Sequence, residues 1–276
     1  MSNEYNEMNK LKLAREIVDS TQQAVLPSFA DAILSGNLPG QIHLERSGRS
    51  VLIGTPSGIY LAAGDEQSKE FRDLLLEVYK RRKETSSRFT LFSPSEQWSR
   101  AIATWFEDEL RQLRRHSFQF NNDKYMARAS VMGQENDAAG PFQWAKITAQ
   151  SLAQSPNFNE AYILEYWGSV SRFLEHGFGY CLLHRDTVVS ECISIFASPR
   201  YAEIDIATHP DYWGRGLAQR AAELFINHCL EHRLVPRWDC DISNAASIKL
   251  AEKLGFDNPR VYTIFASVRT SPKPPE

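Results

Sequence analysis

Cysteine is scarce in this chain and unevenly placed. Four occur in 276 residues, Cys181, Cys192, Cys229 and Cys240, all in the C-terminal half and none spaced as a C-x-x-C pair. The pattern speaks against a disulfide framework or a zinc site and for reduced thiols buried in strands and a helix, and no metal is expected. Cys192 could be considered as a nucleophile, but no local His or Asp pattern marks a triad around it. Long apolar runs are missing as well, none approaching the ~18 residues of a membrane span. The opening Met-Ser-Asn-Glu-Tyr-Asn-Glu-Met-Asn-Lys has no basic region ahead of an apolar core. A cytoplasmic protein without membrane partners is expected. Excess charge of one sign is also absent. The 31 Lys and Arg nearly balance 34 Asp and Glu, and a net charge of −3 offers no basic field for nucleic acid. What the chain does have, 42% apolar and 24% charged residues, suffices for two modest cores or one large one.

The most informative stretch is Tyr-Ala-Glu-Ile-Asp-Ile-Ala-Thr-His-Pro-Asp-Tyr-Trp-Gly-Arg-Gly-Leu-Ala, residues 201–218. A β-type run ends there in a glycine-studded turn that opens onto an amphipathic helix. Gly214 and Gly216 remove side chains where a backbone must approach a ligand closely, and free N–H groups at the helix start near Leu217 point into the turn. Arg215 and Arg220 add positive charge, which a pyrophosphate would use. Two glycines alone would also suit an ordinary strand-to-helix turn. Thirty residues later, Asn244-Ala-Ala-Ser247-Ile-Lys-Leu-Ala251-Glu-Lys-Leu-Gly255-Phe256 reads as a helix with an Asn or Ser243 start and a Gly stop.

Two parts of unlike character follow from the patterning. In the first, residues 7–35 read as helix interrupted at Pro27, followed by β-type runs at 41–45, 50–54 and 58–63, helix 66–83, strand 87–92 and helix 94–113. Gly36 to Gly40 is followed by a β-type run and not a helix, so no phosphate-cradling turn is expected in this half. The polar, turn-rich stretch from Asp123 to Pro141 is the candidate linker. Boundaries are placed at 1–138 for an N-terminal α/β domain, 139–270 for the C-terminal domain and 271–276 for a frayed tail. In the second part, helix 160–176 carries the aromatic residues Tyr162, Tyr166, Trp167 and Phe173, read as core. Strands 178–184, 187–197 and 200–208 form an antiparallel meander, followed by helix 217–232, strand 235–242, helix 244–254 and strand 259–268. The α/β order of the first half would permit a decayed copy of the second.

Together the glycine turn and the Asn-containing helix resemble the acetyl-CoA-binding core of the GNAT superfamily of N-acyltransferases. Residues from about 140 to 270, including Phe173-Leu-Glu-His-Gly-Phe-Gly-Tyr-Cys-Leu-Leu, Ser190-Glu-Cys-Ile-Ser-Ile-Phe and Val235-Pro-Arg-Trp-Asp-Cys-Asp, are similar to the branch that includes the zwittermicin A resistance acetyltransferase. The resemblance implies a mixed central sheet of the GNAT fold, with Trp213, Gly214, Arg215, Gly216, Leu217 and Ala218 holding the pyrophosphate and Asn244 and Ser247 lining the pantetheine arm. It also implies that the backbone amides of Ile206 and Thr208 stabilise the reacting carbonyl where their strand parts from its neighbour.

The implied chemistry is aminolysis of a thioester, which needs a base for the amine and donors for the developing oxyanion. Glu203 and Asp205 alternate on one face of their strand and are the candidate bases, Glu203 first, with His209 a further candidate. Solvated strand carboxylates are the plainer alternative. Ala251 stands where many family members carry a tyrosine acid, and Tyr262 on the last strand is a distant substitute. The expected activity is acetyl transfer from acetyl-CoA to a primary amine of a small molecule, with an amino-bearing antibiotic or metabolite suggested by the branch. The alternative is an acyl-CoA sensor without efficient chemistry. A monomer or homodimer is expected.

Overall fold

The computed structural model describes residues 2–21, 26–107, 109–132 and 141–267. In chain order its elements are α1 (Ser2–Ser20), α2 (Ser28–Leu34), β1 (Gln41–Leu44), β2 (Ser50–Gly54), β3 (Ile59–Gly64), α3 (Lys69–Glu84), β4 (Thr90–Ser93), α4 (Glu96–Phe106), β5 (Leu110–Phe120) and α5 (Asn122–Met132). There follow β6 (Phe142–Lys146), α6 (Ala149–Gln154), α7 (Glu160–Trp167), α8 (Val170–His176), β7 (Gly179–His184), β8 (Thr187–Ala197), β9 (Tyr201–Thr208), α9 (Leu217–Glu231), β10 (Val235–Asp241), α10 (Ala245–Lys253) and β11 (Phe256–Ser267). This is the mixed α/β architecture expected from the sequence.

The chain forms two compact units, one of residues 1–34, 40–115 and 261–276, the other of residues 35–39 and 116–260. The boundary expected near residue 138 and the tail at 271–276 lie outside the described residues. Of the expected linker, residues 122–132 form α5 within the second unit. Tyr125 buries its ring there and donates its hydroxyl to Asn227 Oδ1 at 2.7 Å.

In the first unit β1, β2 and β3 form an antiparallel meander, β4 lies parallel to β3, and the end of β11 pairs antiparallel with β4. Its core is aromatic: Phe71 from α3 meets Trp98 from α4 edge-on at 5.5 Å, and Tyr79, Phe89 and Phe106 pack around them. Helix α4 stops at Phe106, short of the expected residue 113, because Glu107 takes the left-handed conformation at φ 42°. The Arg-rich run that follows, which charge alone disguises as helix surface, is strand β5.

The second unit repeats that order. β6, β7, β8 and β9 form an antiparallel meander and β10 lies parallel to β9 after the crossover through α9. Leu217, Ala221, Ala222, Phe225, Ile226 and Cys229 are spaced at helical intervals and all buried, so α9 presents one apolar stripe to the sheet. Phe225 stacks on Phe178 at 4.4 Å. The single helix expected over 160–176 is two, since Gly168 adopts φ 77° and Ser169 caps α8 by accepting from Arg172 N. No helix among the described residues is long and apolar enough to cross a membrane.

Phe225 has no exposed surface and sits at the centre of the α9 stripe. Phe225→Ala is expected to cost about 3–5 kcal/mol through lost burial and the cavity left behind. Urea unfolding monitored by far-ultraviolet dichroism measures it, and a loss below about 1 kcal/mol would contradict this packing.

Candidate functional site

The site is built on the way β9 leaves its partners. β9 pairs with β8 from Ala202↔Ala197 to Thr208↔Ser190, with a bulge in β8 between Ser194 and Phe196. On its other edge the parallel register with β10 covers Tyr201↔Val235, Ala202↔Pro236 and Glu203↔Arg237, and beyond that point the strands part. His209 N donates to Val189 O at 2.9 Å, which fixes the alternation: the amides of residues 207 and 205 face β8. Those of Ile206 and Thr208 therefore face the edge that β10 has left. Trp238 holds β10 against the next helix, donating its indole N–H to Ser247 Oγ at 2.9 Å and packing on Phe256.

β9 then runs into the turn that positions α9. Gly214 and Gly216 adopt φ 74° and 77°, and a Cβ at either position would meet nothing within 4 Å. The glycines are thus required by backbone conformation, and the space beside them is open. Gly216 is the N-cap of α9, and no side chain caps the helix. The first turn of α9 keeps donors for an anion. The turn itself is held from outside. Tyr212 meets His184 Nδ1 through its hydroxyl at 2.8 Å, Arg215 lies over the Tyr212 ring at 5.0 Å, and Trp213, 69% exposed, donates its indole N–H to Thr208 O at 2.8 Å. Leu217 buries under the helix start and Ala218 is half-buried beside it. Arg220 shares its charge with Glu223 at 3.8 Å.

The equivalent turn of the first unit, between β3 and α3, shows the contrast. There Ser68 caps the helix by accepting from Phe71 N at 3.2 Å. Gly64 at φ 103° abuts the Arg49 carbonyl, where a Cβ would come within 2.0 Å. Asp65 and Glu66 add negative charge at the same helix start. There one N–H of the first turn is already taken by Ser68, and the added negative charge disfavours an anion.

Glu203 and Asp205 face α7, away from the α9 side where Ile204 is buried. Tyr162 donates its hydroxyl to Asp205 Oδ2 at 2.5 Å. Burial foremost, then the charge and hydrogen bond of Asp205, with smaller contributions from Tyr166 and Glu203, push the Tyr162 phenol far above its ordinary value. Both carboxylates thus act on one hydroxyl. Tyr162, read from the sequence as core, belongs to this cluster, with Tyr166 and Phe158 packed against its ring at 4.7 and 5.0 Å. Glu191 of β8 points to the same face, opposite Ala207. It is buried, accepts from Asn157 Nδ2 at 3.3 Å, and has its carboxyl pushed up by burial. A lone Glu within the apolar run Val-Val-Ser-Glu-Cys-Ile was the available signal for it.

The remaining sequence candidates take other places. Asn244 Oδ1 caps α10 by accepting from Ser247 N at 3.0 Å, and Ser247 Oγ receives the Trp238 indole. Ala251 is wholly buried. Tyr262, in the first unit, accepts from Arg115 Nε at 3.1 Å. His209 accepts from Asp211 N within the turn. Cys192 is fully buried, and burial above all pushes its thiol well above the ordinary range, which removes it as a nucleophile.

Comparison with known proteins bears on the family and the fold. The family model described as GNAT acetyltransferase matches residues 20–265. An uncharacterized N-acetyltransferase of Bacillus subtilis (strain 168), YdfB, is 40% identical over 243 residues, covering 87% of this chain and 90% of that protein. The crystal structure of a GCN5-related N-acetyltransferase-like protein from Streptococcus suis 89/1591 superposes with a TM-score of 0.70 at 23% identity over 94% of this chain and 98% of its own. A tandem GNAT protein from the clavulanic acid biosynthesis pathway superposes with a TM-score of 0.59 at 11% identity over 95% and 94% of the two chains. These likenesses extend over both units.

The contrast between the two turns yields a paired test. Arg215→Glu combined with Gly216→Val places a β-branched residue at positive φ and reverses a charge, and is expected to weaken CoA binding by more than about tenfold. Ser68→Ala is expected to cost about 1 kcal/mol of stability with CoA affinity unchanged. Calorimetric titration with CoA reads both, and equal affinity in the double variant and the unaltered protein would refute the assignment.

Proposed function

The chain belongs to the GNAT acetyltransferase family, and from that membership we propose that its second unit transfers an acetyl group from acetyl-CoA to a primary amine of a small molecule. The observation that carries the proposal is the uncapped start of α9 behind Gly214 and Gly216, set at the end of a strand whose outer amides have lost their partner. Acetyl-CoA, when bound, supplies the activated thioester. The N–H groups of Gly214 to Ala218, with Arg215, hold its pyrophosphate, and Trp213 borders it. Asn244 and Ser247 shape the helix that lines the pantetheine arm.

In this reading the amides of Ile206 and Thr208 donate to the carbonyl oxygen as negative charge develops on it. Glu203 takes the proton that the acceptor amine loses. Asp205, fixed by the Tyr162 hydroxyl, keeps a second negative charge on the same face, which favours a cationic acceptor and orients its amine. Ala251 provides no hydroxyl for the departing sulfur, so the thiolate leaves unaided, which is tolerable near neutral pH. An amino-bearing antibiotic or metabolite fits this face better than a neutral acceptor does. The reduced, buried thiols accord with a cytoplasmic setting.

The test is CoA thiol release from acetyl-CoA by the purified protein across a panel of amines that includes aminopolyol antibiotics. Release that depends on the amine is expected. Acetyl-CoA binding without release from any amine would instead favour an acyl-CoA sensor. Glu203→Gln is expected to lower kcat by about 10²–10⁴ while leaving acetyl-CoA affinity within a few-fold. Full activity in that variant would remove Glu203 as the base.

A further inference from the structure

The last turn of α9, remote from the glycine turn by the length of a 15-residue helix, carries a second group of chemistry-bearing side chains. At 1.5 Å per residue the two ends stand about 20 Å apart. His228, Glu231 and His232 occupy positions i, i+3 and i+4 and so share one helix face. A nitrogen of each imidazole and a carboxylate oxygen of Glu231 lie within 4.8 Å of one another.

The two rings are neighbours, and binding one ion through both would require them to turn out of their stack so that the in-plane lone pairs converge. They stack with centroids 4.0 Å apart and planes inclined by 24°, and the His228 ring also lies against Phe178 at 4.0 Å. Each Nδ1 has a partner. His232 Nδ1 is 2.8 Å from the His228 carbonyl oxygen, and His228 Nδ1 is 3.0 Å from the Tyr180 hydroxyl. A carbonyl can only accept, so the His232 proton sits on Nδ1 and its Nε2 keeps a lone pair. The Tyr180 hydroxyl can accept from His228 in the same manner. An imidazole that donates one N–H to an oxygen while the other nitrogen stays open is the arrangement found behind metal ligands.

The surroundings favour a cation. The carbonyl end of α9 contributes partial negative charge and Glu231 a full one. Lys146 opposes it. Cys229, between the two histidines, is buried and takes no part. Two histidines four apart on a helix are a zinc-ligating spacing, and Glu231 offers a carboxylate oxygen within reach of both.

We propose that His228, Glu231 and His232 bind one divalent cation of the zinc class through the two Nε2 atoms and a Glu231 carboxylate oxygen, with water completing a four-coordinate shell. The proposal stands independently of the acetyl-transfer reading. The ion would tie the end of α9 through Tyr180 to β7.

Calorimetric titration of the metal-free full-length protein with zinc chloride near neutral pH tests it, with cobalt(II) absorption reporting the coordination geometry. One zinc per chain and a tetrahedral cobalt spectrum are expected. His232→Ala, at an exposed position, is expected to weaken zinc at least about tenfold. Glu231→Gln should weaken it too, and His43→Gln in the first unit should leave it unchanged. Zinc should raise Tm in the unaltered protein and have no such effect in the His228→Ala, His232→Ala variant. Absence of stoichiometric zinc binding, or affinity that survives His232→Ala, would overturn the proposal.

Discussion

Parallel strands normally satisfy one another's amides for as long as they run side by side, and β9 and β10 do so for three residues only. Beyond Glu203 and Arg237 the outer edge of β9 has no strand to answer it. A half-buried edge of this kind has a cost unless water or another group supplies acceptors. Around it lie the bulge in β8, the Trp238 indole bonded to Ser247 and the crossover helix. The carboxylates on β9, its outward amides and the glycine turn at its end all take their placement from that divergence.

The two units illustrate how one topology can be opened or closed to ligands by a few residues. Each has an antiparallel meander, a crossover helix and a parallel strand. In one, a serine caps the crossover helix and a carbonyl fills the space beside the glycine. In the other the cap is a glycine in open space. The difference lies in side-chain chemistry at the turn, so the fold likeness alone does not assign a ligand to either unit.

Much of the second unit was legible because its signals are local. The meander, α9 with its apolar stripe, the glycine turn and the Asn start of α10 all follow from spacing of 2 or 3.6 and from turn chemistry. What was not legible depends on long-range contacts. Tyr162 looks like one more apolar ring on a helix until Asp205, 43 positions away, is brought to its hydroxyl. Glu191 looks like an ordinary strand residue until Asn157 closes over it. The run after Glu107 is charged enough to pass for helix surface, and only strand pairing makes it β5. The helix read across Gly168 failed for a local reason, because a glycine at positive φ followed by a serine cap is a stop and a restart.

The glycine turn has a further consequence, for the energetics of association. Its left-handed residues are braced by contacts internal to the chain, the Trp213 indole on Thr208 and the Arg215 guanidinium on Tyr212. Conformational entropy that such internal contacts remove from a loop is lost when a chain folds and not when a partner arrives. The better a turn is braced by its own chain, the smaller the share of ordering left to be met on association.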